Sequence, residues 1–404
     1  MEKNISLSVS FDTEQIILPS FGRPSIVIKE KSSSLTILVS EERKRGENQS
    51  ALQYLQLTNI TSSTSYTIVN ETSLFTTWVA TSDATAEDEL AVWYDLQTIP
   101  AGLYNISVTT QRQTFSWPHA VRIMDREPTT CTIVQLTDTH VDKAYNLISE
   151  HQILGDIIQA LNTRVHPDFV MISGDLVDWC SIKENRNYWK ILQDALLQCD
   201  SPVFTTPGNH DRYEHGVTGL YYPYTNLTFY HQYMNPLDDY TLEYSGINFV
   251  FLDSGYDYRR WELELTPEAT GLTTTQMYLL NHEWGNPTMN QIIVMHHPAV
   301  NEKNDTSIIR TPNTLPSGND ECIAFNRPAF LEYCTNNSVN LVLTGQTHTN
   351  RVLTLTGENA TTPFAWPLFI QTASATLARG QQGGRILTLV NGTVQSYNYS
   401  VMIP

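Results

Sequence analysis

The 404 residues carry 24 Lys and Arg against 42 Asp and Glu, a formal net charge of −18 at pH 7. A surface that acidic repels nucleic-acid polymers and anionic membranes, so neither is expected as a partner. No run reads as a membrane span or a secretory leader, and the length makes two domains the natural prior.

In chain order, residues 1–125 show short β-rich segments at 25–29, 34–39, 66–69, 74–79 and 90–94. A sixth, 104–108, follows a Pro100-Ala101-Gly102 turn. Strands at this spacing predict an all-β sandwich that resembles a fibronectin type III or immunoglobulin-like module. Arg126 to Thr130 reads as a linker, and 131–404 as a second domain of another kind. There, apolar β-branched runs at 132–136, 169–172, 203–205, 292–295 and 341–343 predict buried strands. Helices are expected between them. The stretch 146–163 places Leu147, Leu154, Ile157, Ile158 and Leu161 on one face, and 186–198, 274–283 and 328–334 follow. Pro328 suits a first helical turn.

Each of the five runs ends in a polar fragment. These are Asp138-Thr139-His140, Gly174-Asp175, Gly208-Asn209-His210-Asp211, His296-His297 and Gly345-Gln346-Thr347-His348. Five segments whose donors sit at strand ends are expected to converge on one edge of one sheet, where α/β sheets build their sites. Asp138, His140, Asp175 and His348 offer two carboxylates and two imidazoles, a set suited to Fe, Mn or Zn. Asp175 has a second oxygen with which to bridge to another ion, completed by Asn209 and one His of the 296–297 pair. Two such ions about 3.5–4 Å apart clamp a phosphoryl group and acidify a bound water. For any one fragment, helix capping and turn formation explain the residues as well.

The ordered set resembles the calcineurin-like metallophosphoesterase superfamily, over residues from about 131 to 390. The resemblance implies a β-sandwich of two mixed sheets flanked by helices, with a dimetal site at its rim. It also implies Asp138, His140, Asp175 and His348 on one ion, and Asp175, Asn209, His296 and position 346 on the other. By the same route His210 is the proton donor to the leaving oxygen, and Asp178 is the carboxylate that orients and charges it. A neighbouring carboxylate favours imidazolium, which fits that role. His297 is left as a neighbour or substrate contact. Arg212 is a candidate phosphate ligand or, equally, a salt-bridging residue. Position 178 is Asp, where purple acid phosphatases carry a Tyr ligand, so the chain is most similar to the class III cyclic-nucleotide phosphodiesterase branch. That branch cleaves varied esters.

One position departs from the family pattern. Gln346 stands where a His is usual, and a neutral amide oxygen is a harder and weaker donor than imidazole for transition ions. It reads as a conservative replacement, as a weakened second site, or as a lost one. Two functions therefore stand open. The first is metal-dependent hydrolysis of a small phosphoester, more expectedly a diester, with two divalent ions (Mn, Fe or Zn). The second is an extracellular binding protein built on a phosphoesterase fold.

Eleven Asn-x-Ser/Thr sequons occur, at Asn4, Asn48, Asn59, Asn70, Asn105, Asn226, Asn304, Asn336, Asn359, Asn391 and Asn398. About five are expected by chance, so the excess argues for an extracellular or cell-surface glycoprotein whose leader or anchor lies outside this chain. The N-terminal domain is a candidate for surface or self-association. Five cysteines cannot all pair internally. A helix over 185–198 would hold Cys180 and Cys199 about 20 Å apart at 1.5 Å per residue, beyond disulfide reach. Cys180 with Cys322 is the open alternative.

Overall fold

The computed structural model describes residues 15–42, 52–69, 76–80, 87–142, 149–178, 182–212, 227–255, 271–286, 288–302, 322–377 and 381–403. Cys180, Leu147 and the sequons at Asn4, Asn48, Asn70, Asn226 and Asn304 lie outside them, as does the suggested pairing of Cys180 with Cys322. The chain divides into two units. One is Met1–Pro128 with Asp200–Phe204 and Met234–Leu237; the other is Thr129–Cys199, Thr205–Tyr233 and Asp238–Pro404.

The first unit is built of strands β1 (Gln15–Leu18), β2 (Ser25–Ile28), β3 (Ser34–Glu42), β4 (Leu52–Asn59), β5 (Ser65–Val69), β6 (Thr76–Ala80), β7 (Glu87–Asp95), β8 (Gly102–Thr110) and β9 (Thr114–Met124). They form a four-stranded sheet, β1-β3-β7-β6, and a five-stranded one, β2-β9-β8-β4-β5. In β8 the alternate residues Tyr104, Ile106 and Val108 are buried, and the residues between them from Asn105 on are half-buried polar ones on the other face. The Tyr104 hydroxyl donates to the Pro100 carbonyl at 2.8 Å and pins the preceding turn. Strand β9 escapes a pattern reading because Pro118 interrupts it. The register with β8 shifts there, between Tyr104 and Ile106. The His119 amide, at φ 49°, donates instead to Asn105 Oδ1 at 2.9 Å.

The second unit holds β10 (Thr130–Leu136), β11 (Phe169–Ser173), the Thr205–Thr206 end of β12 (Val203–Thr206), β13 (Tyr240–Tyr244), β14 (Ile247–Phe251), β15 (Asn290–Val294), β16 (Val339–Thr344), β17 (Arg351–Leu353), β18 (Leu368–Gln371), β19 (Gly383–Val390) and β20 (Thr393–Val401). Its helices are α1 (Glu150–Ala160), α2 (Ile182–Leu196), α3 (Thr228–Tyr233), α4 (Thr274–Leu279) and α5 (Arg327–Asn336). Two mixed sheets result, β12-β11-β10-β19-β20 and β13-β14-β15-β16-β18-β17. Strands β14, β15, β16 and β18 run parallel, and every residue of β14 and β16 is buried, as strands covered on both faces require. The expected architecture, an α/β domain with a β-rich N-terminal region, is the one observed.

Local signals set the helix ends. At α4, Thr273 Oγ1 accepts from the Gln276 amide while Gln276 Oε1 accepts from the Thr273 amide, a capping box. Pro328 lies in the first turn of α5. Helix α1 buries Ile153, Leu154, Ile157 and Ile158, and both α1 and α4 run into a single π turn, Leu161–Val165 and Leu280–Trp284. Buried Gln135 links strand ends of both sheets. Its Nε2 donates to Ser173 Oγ at 2.9 Å and to the Thr344 carbonyl at 3.2 Å, and its Oε1 accepts from Thr372 Oγ1 at 2.8 Å.

Candidate metal centre

The candidate donors stand just past the C-terminal ends of five strands, and these belong to two sheets, not one. Asp138 and His140 follow β10, Asp175 follows β11, and Asn209 and His210 follow β12. His296 follows β15, and Gln346 and His348 follow β16, in the other sheet. The expectation of a single sheet edge is therefore corrected. Runs of equal apolarity in sequence do not reveal which sheet a strand joins.

Backbone bonds hold these ends together. The Asp138 and His140 amides donate to the Gly174 and Asp175 carbonyls, each at 3.0 Å, and the Gly345 amide donates to the His296 carbonyl at 3.0 Å. Five of the candidates sit in the left-handed backbone region: Asp138 (φ 51°), His140 (41°), Asp175 (51°), Gln346 (62°) and His348 (50°). A Cβ on Gly208 would strike Asp175, and one on Gly345 would strike Thr137 and Asp138. Close approach to the donors is why both positions are glycine.

Around Asp138 the polar atoms face one another. His140 Nε2 lies 3.1 Å from His348 Nε2 and 3.6 Å from Asp175 Oδ2, and His348 Nε2 lies 3.1 Å from Asp138 Oδ1. On the other side of Asp175, His296 Nε2 has three oxygens near it. Asp175 Oδ1 is at 3.3 Å, Asn209 Oδ1 at 3.0 Å and Gln346 Oε1 at 2.7 Å. The polypeptide thus gathers lone pairs from opposed imidazoles, carboxylates and amides into two adjoining clusters.

That donor chemistry fits divalent cations. Asp138, His140 and His348, and separately Asp138, Asp175 and His296, each bring one ligand atom within 4.8 Å of the others. The electrostatics point the same way. Burial alone would lower the His296 pKa, yet Asp175 and Asp138 push it up to about 10. Likewise burial would raise Asp175, but His296 and His210 hold it well below the usual carboxylate range. The cluster calls for positive charge at its centre. Both ligand sets expected from the sequence are drawn together here, Gln346 included.

The remaining predicted residues fall into two groups. His210 and Asp178 edge the face open to solvent, with Nδ1 and Oδ1 3.4 Å apart and side chains 23% and 16% exposed. Arg212 is buried, and its guanidinium faces Asp253, with Nη2 to Oδ1 at 2.6 Å. His297 is buried too, with its Nδ1 2.9 Å from Ser254 Oγ. Arg212 takes the salt-bridging option, but in the interior rather than at the surface.

Two residues of the site were not singled out from the sequence. Asp211 is buried, and its Oδ1 accepts from the Leu176 and Val177 amides while its Oδ2 accepts from Gly208. It ties the loop after β11 to the loop after β12. Burial, and then the nearby Asp175, push its pKa up to about 7. Asp253 holds Arg212, and its own amide donates to Asp239 at 2.7 Å. Asp211 directly follows His210, so a motif reading could have weighed it. Asp253 follows β14, an apolar run carrying no motif.

No curated protein matches the chain. Among solved structures, a crystal structure of amylomaltase from Corynebacterium glutamicum is aligned at 11% identity and a TM-score of 0.18, over 41% of this chain and 22% of that one. A likeness that slight carries no argument about fold or function. The sequence pattern of the calcineurin-like phosphoesterases, by contrast, matches residues 131–350, more than half of the 404. That span contains all five strand ends and all seven candidate donors, and the chain belongs to this family of metal-dependent phosphoesterases.

Proposed function

We propose that the chain hydrolyses a small phosphodiester, in the manner of the class III cyclic-nucleotide phosphodiesterase branch it resembles. The observation that carries this is buried Asp175 standing between the two groups of donors, with Oδ2 3.6 Å from His140 Nε2 and Oδ1 3.3 Å from His296 Nε2. Asp138, His140, Asp175 and His348 would hold one divalent ion, and Asp175, Asn209, His296 and Gln346 a second. Bound there, the ions supply Lewis acidity and an acidified water for in-line attack. The chain's own part is positioning and proton transfer. His210, partly open to solvent and faced by Asp178, would protonate the leaving oxygen. A preference for diesters is supported by Arg212, the cation in the motif, being turned to Asp253. A monoester dianion would call for more positive charge at the phosphoryl group than imidazoles provide.

The setting we infer is extracellular, on a glycosylated surface. Of the sequon residues among the described ones, Asn336, Asn359, Asn391 and Asn398 are exposed, while Asn59 and Asn105 are half-buried. The N-terminal β unit is then a candidate for surface or self-association. A second reading, a binding protein with a weakened second metal position, rests on Gln346 alone.

The test is a matrix of Mn, Zn, Fe, Co and Ni against aryl monoesters, aryl diesters and cyclic nucleotides. Metal-dependent turnover, fastest on diesters, is expected, and Asp175→Asn is expected to lower it by several orders of magnitude with the fold intact. Wild-type turnover in Asp175→Asn removes the shared-carboxylate reading. Metal binding without turnover on any ester favours the binding protein.

A further inference from the structure

A candidate metal ligand and the candidate proton donor face the same carboxylate oxygen. Asp178 Oδ1 lies 3.4 Å from His140 Nδ1 and 3.4 Å from His210 Nδ1. The two rings stand edge to face, with centroids 4.8 Å apart and planes at 88°. Each turns its Nδ1 edge toward Asp178 and its Nε2 edge toward Asp175 Oδ2, at 3.6 Å for His140 and 3.8 Å for His210. The backbone fixes this oxygen between them. The Asp178 amide donates to the Val141 carbonyl at 2.8 Å, and the Val141 amide to the Leu176 carbonyl at 3.1 Å. The loops after β10 and β11 are thereby pinned together beside the two imidazoles.

The physical consequence differs for the two rings. His140 is only 1% exposed, so water cannot select its tautomer. A carboxylate 3.4 Å from Nδ1 favours the proton on that nitrogen, which leaves the Nε2 lone pair directed at the cluster and makes it more basic. His210 is open to solvent, and the same carboxylate fixes its ring plane while Nε2 faces the reacting side. Resting on the function proposed above, we propose that Asp178 is a positioning residue for both. It sets His140 as a ligand of the first ion as well as His210 as the proton donor. Loss of this one carboxylate then damages metal affinity and proton donation together, whereas loss of His210 damages only the second.

The experiment is calorimetric titration of Mn²⁺ and of Zn²⁺ into the full chain, without substrate, for wild type, Asp178→Asn, Asp178→Glu and His210→Ala. Co²⁺ absorption spectra report the geometry of the first position. Asp178→Asn is expected to weaken the tighter binding event by about 10–100-fold, the usual cost of losing a carboxylate behind a metal-bound imidazole, and to shift the Co²⁺ bands. Asp178→Glu is expected to recover part of that affinity, and His210→Ala to lose far less of it than Asp178→Asn. Unchanged affinity in folded Asp178→Asn overturns the proposal and leaves Asp178 serving His210 alone. An equal loss in His210→Ala overturns it as well, because the effect would then come from ring packing. Where Asp178→Asn does not fold, nitrogen-15 spectra of the histidines in the metal-loaded wild type decide. Both rings protonated at Nδ1 support the proposal, and His140 protonated at Nε2 ends it. A wild type that binds no metal would sink the underlying reading of the site, and this proposal with it.

Discussion

At Gln346 the chain sets a neutral amide oxygen 2.7 Å from His296 Nε2, beside the Asn209 amide oxygen at 3.0 Å. The Asp138 cluster has two carboxylates and two imidazoles, whereas this one has a shared carboxylate, one imidazole and two amides. Fewer anionic and imidazole donors mean weaker binding of first-row ions. Two unequal events are expected in calorimetry, and Gln346→His should tighten the weaker and lower the metal concentration for half-maximal turnover. Equal affinities in the wild type, unmoved by Gln346→His, would show that Gln346 is an ordinary substitute ligand. His210 gives a second prediction at this scale. General acid catalysis contributes about 10²–10⁴-fold, and only where the leaving oxygen needs a proton. His210→Ala should therefore slow alkyl esters far more than nitrophenyl esters, and equal losses on both would make it structural.

The strand ends decide how tightly the donors are held. A methyl group on Gly345 would strike Asp138 and Thr137, and one on Gly208 would strike Asp175. Either Gly→Ala change must push a donor out of place. We expect Gly208→Ala to keep far-ultraviolet circular dichroism near wild type while metal affinity and turnover both fall by at least about tenfold, since a misplacement of about 1 Å is costly. Retained affinity would mean that the loop after β12 gives way without moving Asp175.

Much of this geometry was legible beforehand. The Asp138, Asp175, Asn209, His296 and His348 fragments each follow a run apolar enough to name its strand, and their order carried the family. What the sequence hid was relational. Partition between two sheets depends on pairings such as β10 with β19, whose register runs from Thr130 opposite Val390 to Gln135 opposite Arg385. β19 carries no motif and lies some 250 residues later in the chain, a separation that follows directly from those numbers. Strand β9 was hidden by Pro118, and six-residue α3 is too short for helical periodicity to declare itself. Asp211 was hidden because its partners are backbone amides of two loops.

For the molecule as a whole, donors from both sheets of the second unit mean that a cation joins elements that would otherwise be held by packing and by bonds such as those of Gln135. Binding to the native state alone stabilises it by mass action, about 2.7 kcal/mol at a hundredfold excess over Kd. Chelation should therefore lower the melting temperature, by about 5–10 °C for a domain of this size. Readdition of Mn²⁺ should restore it, with Asp175→Asn indifferent to both. A melting curve untouched by chelator in the wild type would mean that the cluster binds no ion with useful affinity. The formal charge of −18 adds to this, because an acidic molecule draws divalent ions toward it at low ionic strength.

The left-handed backbone at Asp138, His140, Asp175, Gln346 and His348 has a consequence for how such a protein changes over generations. A side chain held there costs roughly 1–3 kcal/mol that glycine would not incur. Selection for heat resistance alone would drift these positions toward glycine or asparagine and dismantle the centre, while the scaffold around it became sturdier. Keeping the donors thus requires continued demand for the chemistry. In this chain the donors stand against the preference of the fold.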